Sequence, residues 1–230
     1  MSIKIAINGF GRIGRLTLRA LIERTNEPIQ IIAINDLTDI DSIFHLLKYD
    51  SVHQKLKGNL KRIDNSLIIE DKEVKIFSSS DPAKLPWGKM NVDLVIESTG
   101  IFTEKIKASK HLEAGAKKVL ISAPSSDADI TVVYGVNHND INLGQHKVIS
   151  NGSCTTNCLA PLVKILNDSF GIETGYMTTV HSVTGDQNTI DTFHKDLRRS
   201  RNASLSMIPT STGAARAVSY THLRAHETIA

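Results

Sequence analysis

The stretch "IKIAINGFGRIGR" near the N-terminus constrains the fold of this chain more than any other part of the sequence. Its β-branched residues predict a strand over residues 3–8, and a helical pattern begins at Arg12. Between strand and helix, Gly9, Gly11 and Gly14 have Gly-x-Gly-x-x-Gly spacing. In such a turn the first glycine bends the chain, the second lets the backbone approach a pyrophosphate, and the third lets the helix pack on the strand. The spacing predicts a dinucleotide-binding βαβ unit.

A second predicted strand, residues 29–36, ends in Asp36. An acidic residue about 20 positions after the glycines can accept hydrogen bonds from both hydroxyls of an adenosine ribose, and it repels a 2′-phosphate. The phosphates would meet free N–H groups at the helix N-terminus. A glycine-rich turn beside a surface aspartate is the alternative, but it leaves the order of strand, glycines, helix, strand and acid unexplained. We therefore expect NAD, rather than NADP, as cofactor.

Strand and helix patterns alternate as far as residue 150. Unbroken apolar strands between helices are typical of a parallel sheet covered on both faces. The expected fold class is α/β, a Rossmann doubly wound parallel sheet. The further predicted strands cover residues 92–100, 117–124, 130–137 and 147–150, with a hairpin at 66–71 and 73–78, and the predicted helices cover residues 12–24, 41–49 and 103–116.

The pattern changes near residue 150, where we place a domain boundary. A helix is predicted from Ser153 to Asn167 with Pro161 inside it, followed by a strand at 173–183 and a polar loop at 184–203. These elements predict the start of a second, α+β domain. The expected domains are therefore residues 1–150 for the dinucleotide and residues 151–218 for a partial catalytic domain.

The chain has only two cysteines, Cys154 and Cys158. Two ligands do not complete a tetrahedral zinc site, no histidine has ligand spacing to them, and a disulfide across one helical turn is strained, so no metal is expected. Cys154 would lie at a helix start, where free N–H groups favour a thiolate, among the hydroxyls of Ser153 and Thr155. Cys158 lies one turn further and is predicted to be a small core residue.

A nucleophilic thiolate needs a partner base, and His181 is the best candidate. It ends the predicted strand in "MTTVHSVTGDQ", at a sheet edge where functional groups collect. Taken by itself, a histidine in this place is more often a hydrogen-bonded structural residue. Both roles remain open on these grounds.

Composition excludes several classes of protein. The formal net charge of +3 is too small to predict binding to nucleic acid or to an anionic membrane. No apolar run approaches the roughly 20 residues that span a bilayer, and the N-terminus lacks the features of a signal peptide. Two cysteines form no disulfide framework, so a cytoplasmic location is expected.

Five motifs together resemble the phosphorylating glyceraldehyde-3-phosphate dehydrogenase family: "INGFGRIGR", "SNGSCTTNCLAP", "HSVTGDQ", "HKDLRRSR" and "IPTSTGAA". The resemblance runs from residue 3 to about Val218. It implies an NAD-dependent enzyme, generally a homotetramer, that converts glyceraldehyde 3-phosphate and inorganic phosphate into 1,3-bisphosphoglycerate. Cys154 would form a thiohemiacetal and then a thioester, with His181 as its ion-pair partner, base and acid.

The resemblance also implies binding residues. Contacts to NAD would come from Gly9, Gly11, Arg12, Ile13, Gly14, Asp36, Thr99 and Ser122. Phosphate groups of substrate and attacking phosphate would be bound by Ser153, Thr155, Thr184, Arg199, Thr212 and Gly213.

After "TGAARAV" the sequence departs from the family's pattern, and residues 219–230 form an unrelated tail. The chain would then lack a further substrate-phosphate arginine and an asparagine that holds the nicotinamide amide. We expect the 230-residue chain by itself to be inactive or poorly folded. Two other functions stay open: an erythrose-4-phosphate dehydrogenase, which "TGDQ" and "PTSTGAA" disfavour, and a non-catalytic NAD-binding fragment.

Overall fold

The computed structural model describes residues 2–23 and 28–214, and the chain divides into two compact units, Met1–Ser153 and Cys154–Ala230. The tail predicted from Ser219 lies outside the described residues. The first unit contains a nine-stranded sheet and a two-stranded sheet. The strands in chain order are β1 (Ile3–Asn8), β2 (Ile29–Asn35), β3 (Tyr49–Asp50), β4 (Gln54–Lys55), β5 (Leu60–Ile63), β6 (Ser66–Ile69), β7 (Lys72–Phe77), β8 (Leu94–Glu97), β9 (Lys118–Ile121), β10 (Ile130–Thr131) and β11 (Val148–Ser150).

The large sheet has the order β10-β11-β9-β8-β1-β2-β7-β6-β5. Strands from β10 to β7 are parallel to their neighbours, whereas β6 and β5 are antiparallel and extend one edge. From β1 the chain builds outward through β2 and β7, then returns to the other side of β1 with β8. This reversal is the topological switch point of a doubly wound sheet, where ligands bind beyond the carboxyl ends of the strands. The predicted α/β Rossmann fold is confirmed.

Helices cover both faces of the sheet. Successive strand residues point to opposite faces, so Ile7 packs with Leu18 of the first helix while Ala6 packs with Trp87 on the other side. All four side chains are at most 3% exposed. The helices are α1 (Arg12–Glu23), α2 (Ile40–Lys48), α3 (Trp87–Met90), α4 (Lys105–Ala108), α5 (Lys110–Glu113) and α6 (Cys154–Phe170), with 3₁₀ turns at Pro82–Lys84 and His138–Asp140.

The predicted hairpin is confirmed, but its turn lies one residue earlier than the Asp71-Lys72 turn that the sequence suggests. Strands β6 and β7 are joined by Glu70 and Asp71, whose φ angles are 48° and 63°. Two successive left-handed residues make a type I′ turn, which matches the twist of the paired strands.

Two predicted elements of the first unit are shorter than their patterns suggested. The predicted strand at 130–137 ends after Thr131, because the Asn137 side chain accepts a hydrogen bond from the Val133 N–H and donates one to the Thr131 carbonyl. These bonds turn the chain away from the sheet. The predicted helix at 103–116 is split into α4 and α5 at Ser109, whose carbonyl accepts an i+3 bond from Leu112.

In the second unit, α6 contains Pro161 as predicted. The predicted strand at 173–183 is wrong: no residue of this segment forms a ladder within the described part of the chain. Tyr176 and Val180 are 95% and 89% exposed. A strand forms only against a partner, and the described residues of this unit offer none. The sequence of this segment is suited to a strand, but a strand also needs a neighbouring strand to pair with, and the sequence pattern does not show whether one is present.

Candidate active site

The glycine turn lies at the switch point of the sheet. Gly9 follows β1 with a φ of +88°, a backbone conformation that residues other than glycine rarely adopt. A Cβ at Gly9 would lie 2.5 Å from the backbone nitrogen of Thr99, which follows β8. The fold therefore brings these two predicted cofactor contacts together, and only a residue without a side chain fits between the strand ends.

Gly14 lies in close contact with its neighbours, whereas Gly11 has open space beside it. A Cβ at Gly14 would lie 2.3 Å from the Gly9 carbonyl oxygen and 3.1 Å from the Ile7 side chain, so this glycine lets α1 pack on β1. A Cβ at Gly11 would meet no atom within 4 Å. The loop thus leaves open space at Gly11, in front of the N-terminus of α1, where a pyrophosphate could approach the backbone.

Asp36 follows β2 at the same edge of the sheet. Its Oδ2 accepts a hydrogen bond of 2.6 Å from the Phe10 N–H, and its Oδ1 accepts one of 2.8 Å from the Thr38 N–H. Partial burial raises the pKa of Asp36, but these hydrogen bonds outweigh it and hold the pKa below its usual value. A carboxylate therefore stands beside the glycine turn, as a ribose-binding group requires.

The other predicted cofactor contacts lie around this turn. Arg12 opens α1 and forms an ion pair with Asp50. Hydrogen bonds from the His53 and Val52 N–H groups, together with Arg12, lower the pKa of Asp50 to about 2. The side chains of two further residues lie at accessible places: Ile13, which is 52% exposed, and Ser122, which follows β9 and is half-buried.

A Gly9→Ala substitution is expected to cost about 2–4 kcal/mol of unfolding free energy, because the new methyl group meets backbone at 2.5 Å and the residue keeps a left-handed φ. Urea unfolding of the 230-residue chain measures this loss. Gly11→Ala is the matched control, since its methyl group enters open space, and it should change stability by less than about 0.5 kcal/mol. Equal stability for the two variants would contradict this account.

Cys154 and His181 form a pair in the second unit. Cys154 is the first residue of α6, and its Sγ lies 3.2 Å from His181 Nε2. The other ring nitrogen, Nδ1, lies 2.7 Å from the Ser182 carbonyl oxygen. That carbonyl can only accept, so Nδ1 carries a proton and the ring presents Nε2 to the sulfur.

The two groups shift each other's pKa in opposite directions. Desolvation raises the pKa of Cys154, but the hydrogen bond with His181 and the N–H and hydroxyl of Thr155 outweigh it, so the pKa lies below that of an ordinary thiol. The Ser182 carbonyl and the Cys154 sulfur raise the pKa of His181. Both shifts favour a thiolate–imidazolium ion pair, the form in which cysteine acts as a nucleophile.

A second cluster in this unit joins three predicted phosphate-binding segments. Arg199 forms an ion pair with Asp186, and its Nη2 lies 3.5 Å from the carbonyl oxygen of Ser211, the residue before Thr212. Asp186 lies within the turn that runs from Thr184 to Gln187. The Arg199 guanidinium therefore contacts one segment two residues after Thr184 and the other one residue before Thr212.

The polar groups of the remaining candidates are placed as follows. Thr184 donates its N–H, at 2.7 Å, and its hydroxyl, at 2.8 Å, to the Gln187 side-chain oxygen. The Thr212 hydroxyl accepts from the Ala214 N–H at 3.2 Å, and a Cβ at Gly213 would meet no atom of the described residues within 4 Å. Ser153 directly precedes Cys154 in the chain.

Three features of the site were not predicted. Asp186 forms ion pairs with both Arg199 and His194. The "TGDQ" motif contains this residue but does not show which side chains it contacts. Glu97 is buried beneath Thr99, and its only sequence signal is a charged residue inside the apolar run "VDLVIESTG". Cys158, predicted to be a core residue, is exposed because no described element covers that face of α6.

Two kinds of feature are absent from the described residues. In residues 2–23 and 28–214, no group of three histidine, cysteine, aspartate or glutamate side chains could hold a metal ion. Among the helices within those ranges, none combines the length and the apolar character needed to cross a membrane.

A doubly wound dinucleotide fold followed by an activated cysteine–histidine pair defines a class, the dehydrogenases that use a thiol nucleophile. Comparison with known proteins identifies the family within it. The model described as "Glyceraldehyde 3-phosphate dehydrogenase, NAD binding domain" matches residues 3–105, and the model of the C-terminal domain of the same enzyme matches residues 153–224. The chain belongs to the glyceraldehyde-3-phosphate dehydrogenase family.

Curated relatives agree with this assignment. The chain is 57% identical to a glyceraldehyde-3-phosphate dehydrogenase of Priestia megaterium over 219 residues, 95% of this chain and 65% of the relative. It is 55% identical to glyceraldehyde-3-phosphate dehydrogenase 1 of Bacillus subtilis, with the same coverage. A Thermotoga maritima relative is 56% identical over 94% of this chain and 64% of its own length. The chain thus spans about 65% of the length of these relatives.

Proposed function

We propose that this chain binds NAD and carries the nucleophile of a phosphorylating glyceraldehyde-3-phosphate dehydrogenase. The reaction would oxidise D-glyceraldehyde 3-phosphate and capture the product with inorganic phosphate as 1,3-bisphosphoglycerate. The observation that carries the proposal is the Cys154–His181 pair, with 3.2 Å between Sγ and Nε2. The glycine turn and Asp36 support the cofactor, and the names of the relatives support the substrate.

In the first step the Cys154 thiolate attacks the aldehyde carbon, and the C=O π electrons move to the oxygen. The His181 imidazolium is the proton donor for that oxygen, which gives a thiohemiacetal. The Cys154 N–H, in the first turn of α6 where backbone N–H groups have no partner within the helix, is a further donor to the oxygen. The thiolate becomes a neutral thioether sulfur and the imidazolium becomes a neutral imidazole, so this step leaves no net charge on either residue.

Neutral His181 is then the base that takes the hydroxyl proton back as the thiohemiacetal is oxidised to a thioester. Bound NAD supplies the hydride acceptor for this oxidation. An oxygen of inorganic phosphate next attacks the thioester carbon, and the C–S bond breaks to release the acyl phosphate and the Cys154 thiolate. The thioester keeps the energy of oxidation in a bond that phosphate can cleave.

The second cluster, around Arg199, would bind the phosphate groups of the substrates. Hydroxyl groups, backbone N–H groups and a guanidinium are the donors that phosphate oxygens require. We assign the substrate phosphate to Thr184 and Arg199, and the attacking phosphate to Ser153, Thr155, Thr212 and Gly213. Asp186 neutralises Arg199 in the described structure, so an incoming phosphate would compete with this carboxylate for the guanidinium.

The proposal includes the cofactor site, which Gly11→Ala tests. The substitution should weaken NAD binding at least about tenfold while leaving stability unchanged, because a methyl group enters the space that the pyrophosphate would occupy. Isothermal titration calorimetry with NAD measures the effect on the 230-residue chain. An affinity within twofold of the original chain would contradict this placement of the cofactor.

The proposed chemistry is tested by acylation in a single turnover. The chain is mixed with glyceraldehyde 3-phosphate and NAD without inorganic phosphate, and the peptide that contains Cys154 is analysed by mass spectrometry. A phosphoglyceroyl adduct on Cys154, formed together with NADH, is expected. An adduct elsewhere, or NADH without any adduct, would contradict the mechanism. That the 230-residue chain by itself is poorly folded or inactive in continuous turnover stays a prediction, which its urea unfolding curve and the steady-state rate of NADH formation check.

The same proposal covers assembly and location. We expect the full-length protein to form a homotetramer in the cytoplasm, with no nucleic-acid partner and no membrane partner. Light scattering of the purified protein measures the assembly.

A further inference from the structure

A line of buried polar side chains runs beneath the switch point of the sheet. Asn8, Asn35, Glu97 and His111 are each at most 4% exposed, although they carry amide, carboxylate and imidazole groups. They lie on β1, β2, β8 and α5, and the indole of Trp87 closes one end of the line. Buried polar groups are costly unless they are paired, so the arrangement of their hydrogen bonds decides what the line can do.

Glu97 is the centre of this line. Its Oε2 accepts hydrogen bonds from Asn8 Nδ2 at 2.6 Å and from His111 Nε2 at 3.0 Å. Its Oε1 accepts from the Thr99 N–H at 2.8 Å and from the Thr99 hydroxyl at 2.5 Å. Four donors therefore point at one carboxylate, and each oxygen receives two of them.

The pattern requires an acceptor at Glu97. The Trp87 indole N–H can only donate, and it lies 3.0 Å from His111 Nδ1, so that nitrogen is an unprotonated acceptor. The proton of the neutral ring is then on Nε2 and points at Glu97. His111 donates one hydrogen bond without contributing a charge.

The line reaches three of the proposed NAD contacts. Asn8 directly precedes Gly9, and its Oδ1 accepts a 2.7 Å bond from the side chain of Asn35, which directly precedes Asp36. Glu97 bonds Thr99, whose backbone faces Gly9 across the switch point. One carboxylate thus connects the carboxyl ends of β1, β2 and β8, from which all three contacts project.

We infer that Glu97 is a positioning residue for the cofactor, and the inference rests on the proposed NAD site. By binding Thr99 through both its N–H and its hydroxyl, Glu97 sets the backbone that faces the glycine turn. Through Asn8 and Asn35 it holds the turn and the Asp36 strand end in register with that backbone. An apolar side chain of similar size would cost less to bury, and it would leave the three strand ends unconnected.

Glu97→Gln tests the inference, because an amide keeps the shape and changes one acceptor into a donor. Wherever the NH₂ group points, it meets donors from Thr99 or from His111. The expected result is NAD binding at least about tenfold weaker, the effect of losing a hydrogen bond to a charged group. Calorimetry on the 230-residue chain measures the affinity, and emission from Trp87, the only tryptophan in the sequence, reports the change at His111.

Val95→Ala is the matched control. Val95 lies on the same strand and is 0% exposed, but it has no polar side-chain atom, so its truncation destabilises the core without touching the hydrogen bonds. This control should bind NAD within about twofold of the original chain. If Glu97→Gln also binds NAD within twofold and only unfolds more easily, the carboxylate is merely structural and the inference is overturned.

A second variant keeps the test decisive if Glu97→Gln does not fold. Asn8→Ala removes the link to Asn35 and leaves both Thr99 bonds in place, and it should weaken NAD binding about threefold. Unchanged affinity in that variant would overturn the inference. An original chain that binds no NAD would overturn the proposed cofactor site itself, which the other outcomes leave standing.

Discussion

Replacing Cys154 with serine should abolish acylation of the chain. The serine hydroxyl ionises far less readily than a thiol, so His181 cannot hold it as an alkoxide, and the ion pair that precedes attack does not form. We expect the rate of NADH formation in the single turnover to fall at least about a thousandfold, a loss comparable to that of other enzymes without their nucleophile.

The control for this experiment is Cys158→Ser. Cys158 is an exposed thiol on the same helix, one turn from the nucleophile, and the proposed chemistry gives it no role. That variant should be acylated at the original rate. Cys154→Ser should still bind NAD with unchanged affinity, because the glycine turn and Asp36 are untouched. An acyl adduct that persists in Cys154→Ser would show that another residue is the nucleophile.

The glycine turn was predictable because its physical causes are local. Gly9, Gly11 and Gly14 lie within six residues of sequence. The positive φ at Gly9 and the close approach of Gly14 to the Gly9 carbonyl oxygen belong to this one strand–turn–helix unit, and Gly11 has open space beside it. The same holds for the type I′ hairpin turn at Glu70 and Asp71, where conformation and hydrogen bonding involve adjacent residues.

The features that could not be predicted from the sequence depend on contacts with residues that are distant in the chain. The segment 173–183 has the composition of a strand, but a ladder needs a second strand, and no local pattern shows whether one is present. The sequence shows Glu97 as a charged residue in an apolar run. Its role depends on its hydrogen bonds with His111 and Asn8, which lie on two other elements of the fold. The Cys154–His181 contact is intermediate, since the chemistry suggested both residues and only the structure gives their 3.2 Å separation.

The pH dependence of Cys154 alkylation should change when His181 is replaced by glutamine. Cys154 has a lowered pKa and His181 a raised one, and both shifts favour the ion pair, which exists where the pH lies above the pKa of Cys154 and below that of His181. Raising the pH through the lower value creates the thiolate, and raising it further through the upper value removes the proton from the imidazole. In the original chain, iodoacetamide labelling at neutral pH should therefore be faster than that of an ordinary free thiol.

In His181→Gln the imidazolium is absent, while desolvation still raises the pKa of Cys154 and the Thr155 donors still lower it. The thiol pKa should move up toward its ordinary value of about 8.5, and labelling at pH about 7 should fall about tenfold. Near pH 10 the order should reverse or vanish, because a more basic thiolate is the stronger nucleophile. Labelling is followed by mass spectrometry in a Cys158→Ser background, so that only one thiol reacts.

His194→Gln is the matched control for this profile. His194 is also a histidine of the second unit, but its ring pairs with Asp186 instead of a cysteine. The control should therefore keep the labelling profile of the original chain. A reduction that is equal at all pH values in His181→Gln would mean that the histidine governs access to the sulfur rather than its charge, and the thiolate–imidazolium pair would then have to be abandoned as the origin of the reactivity.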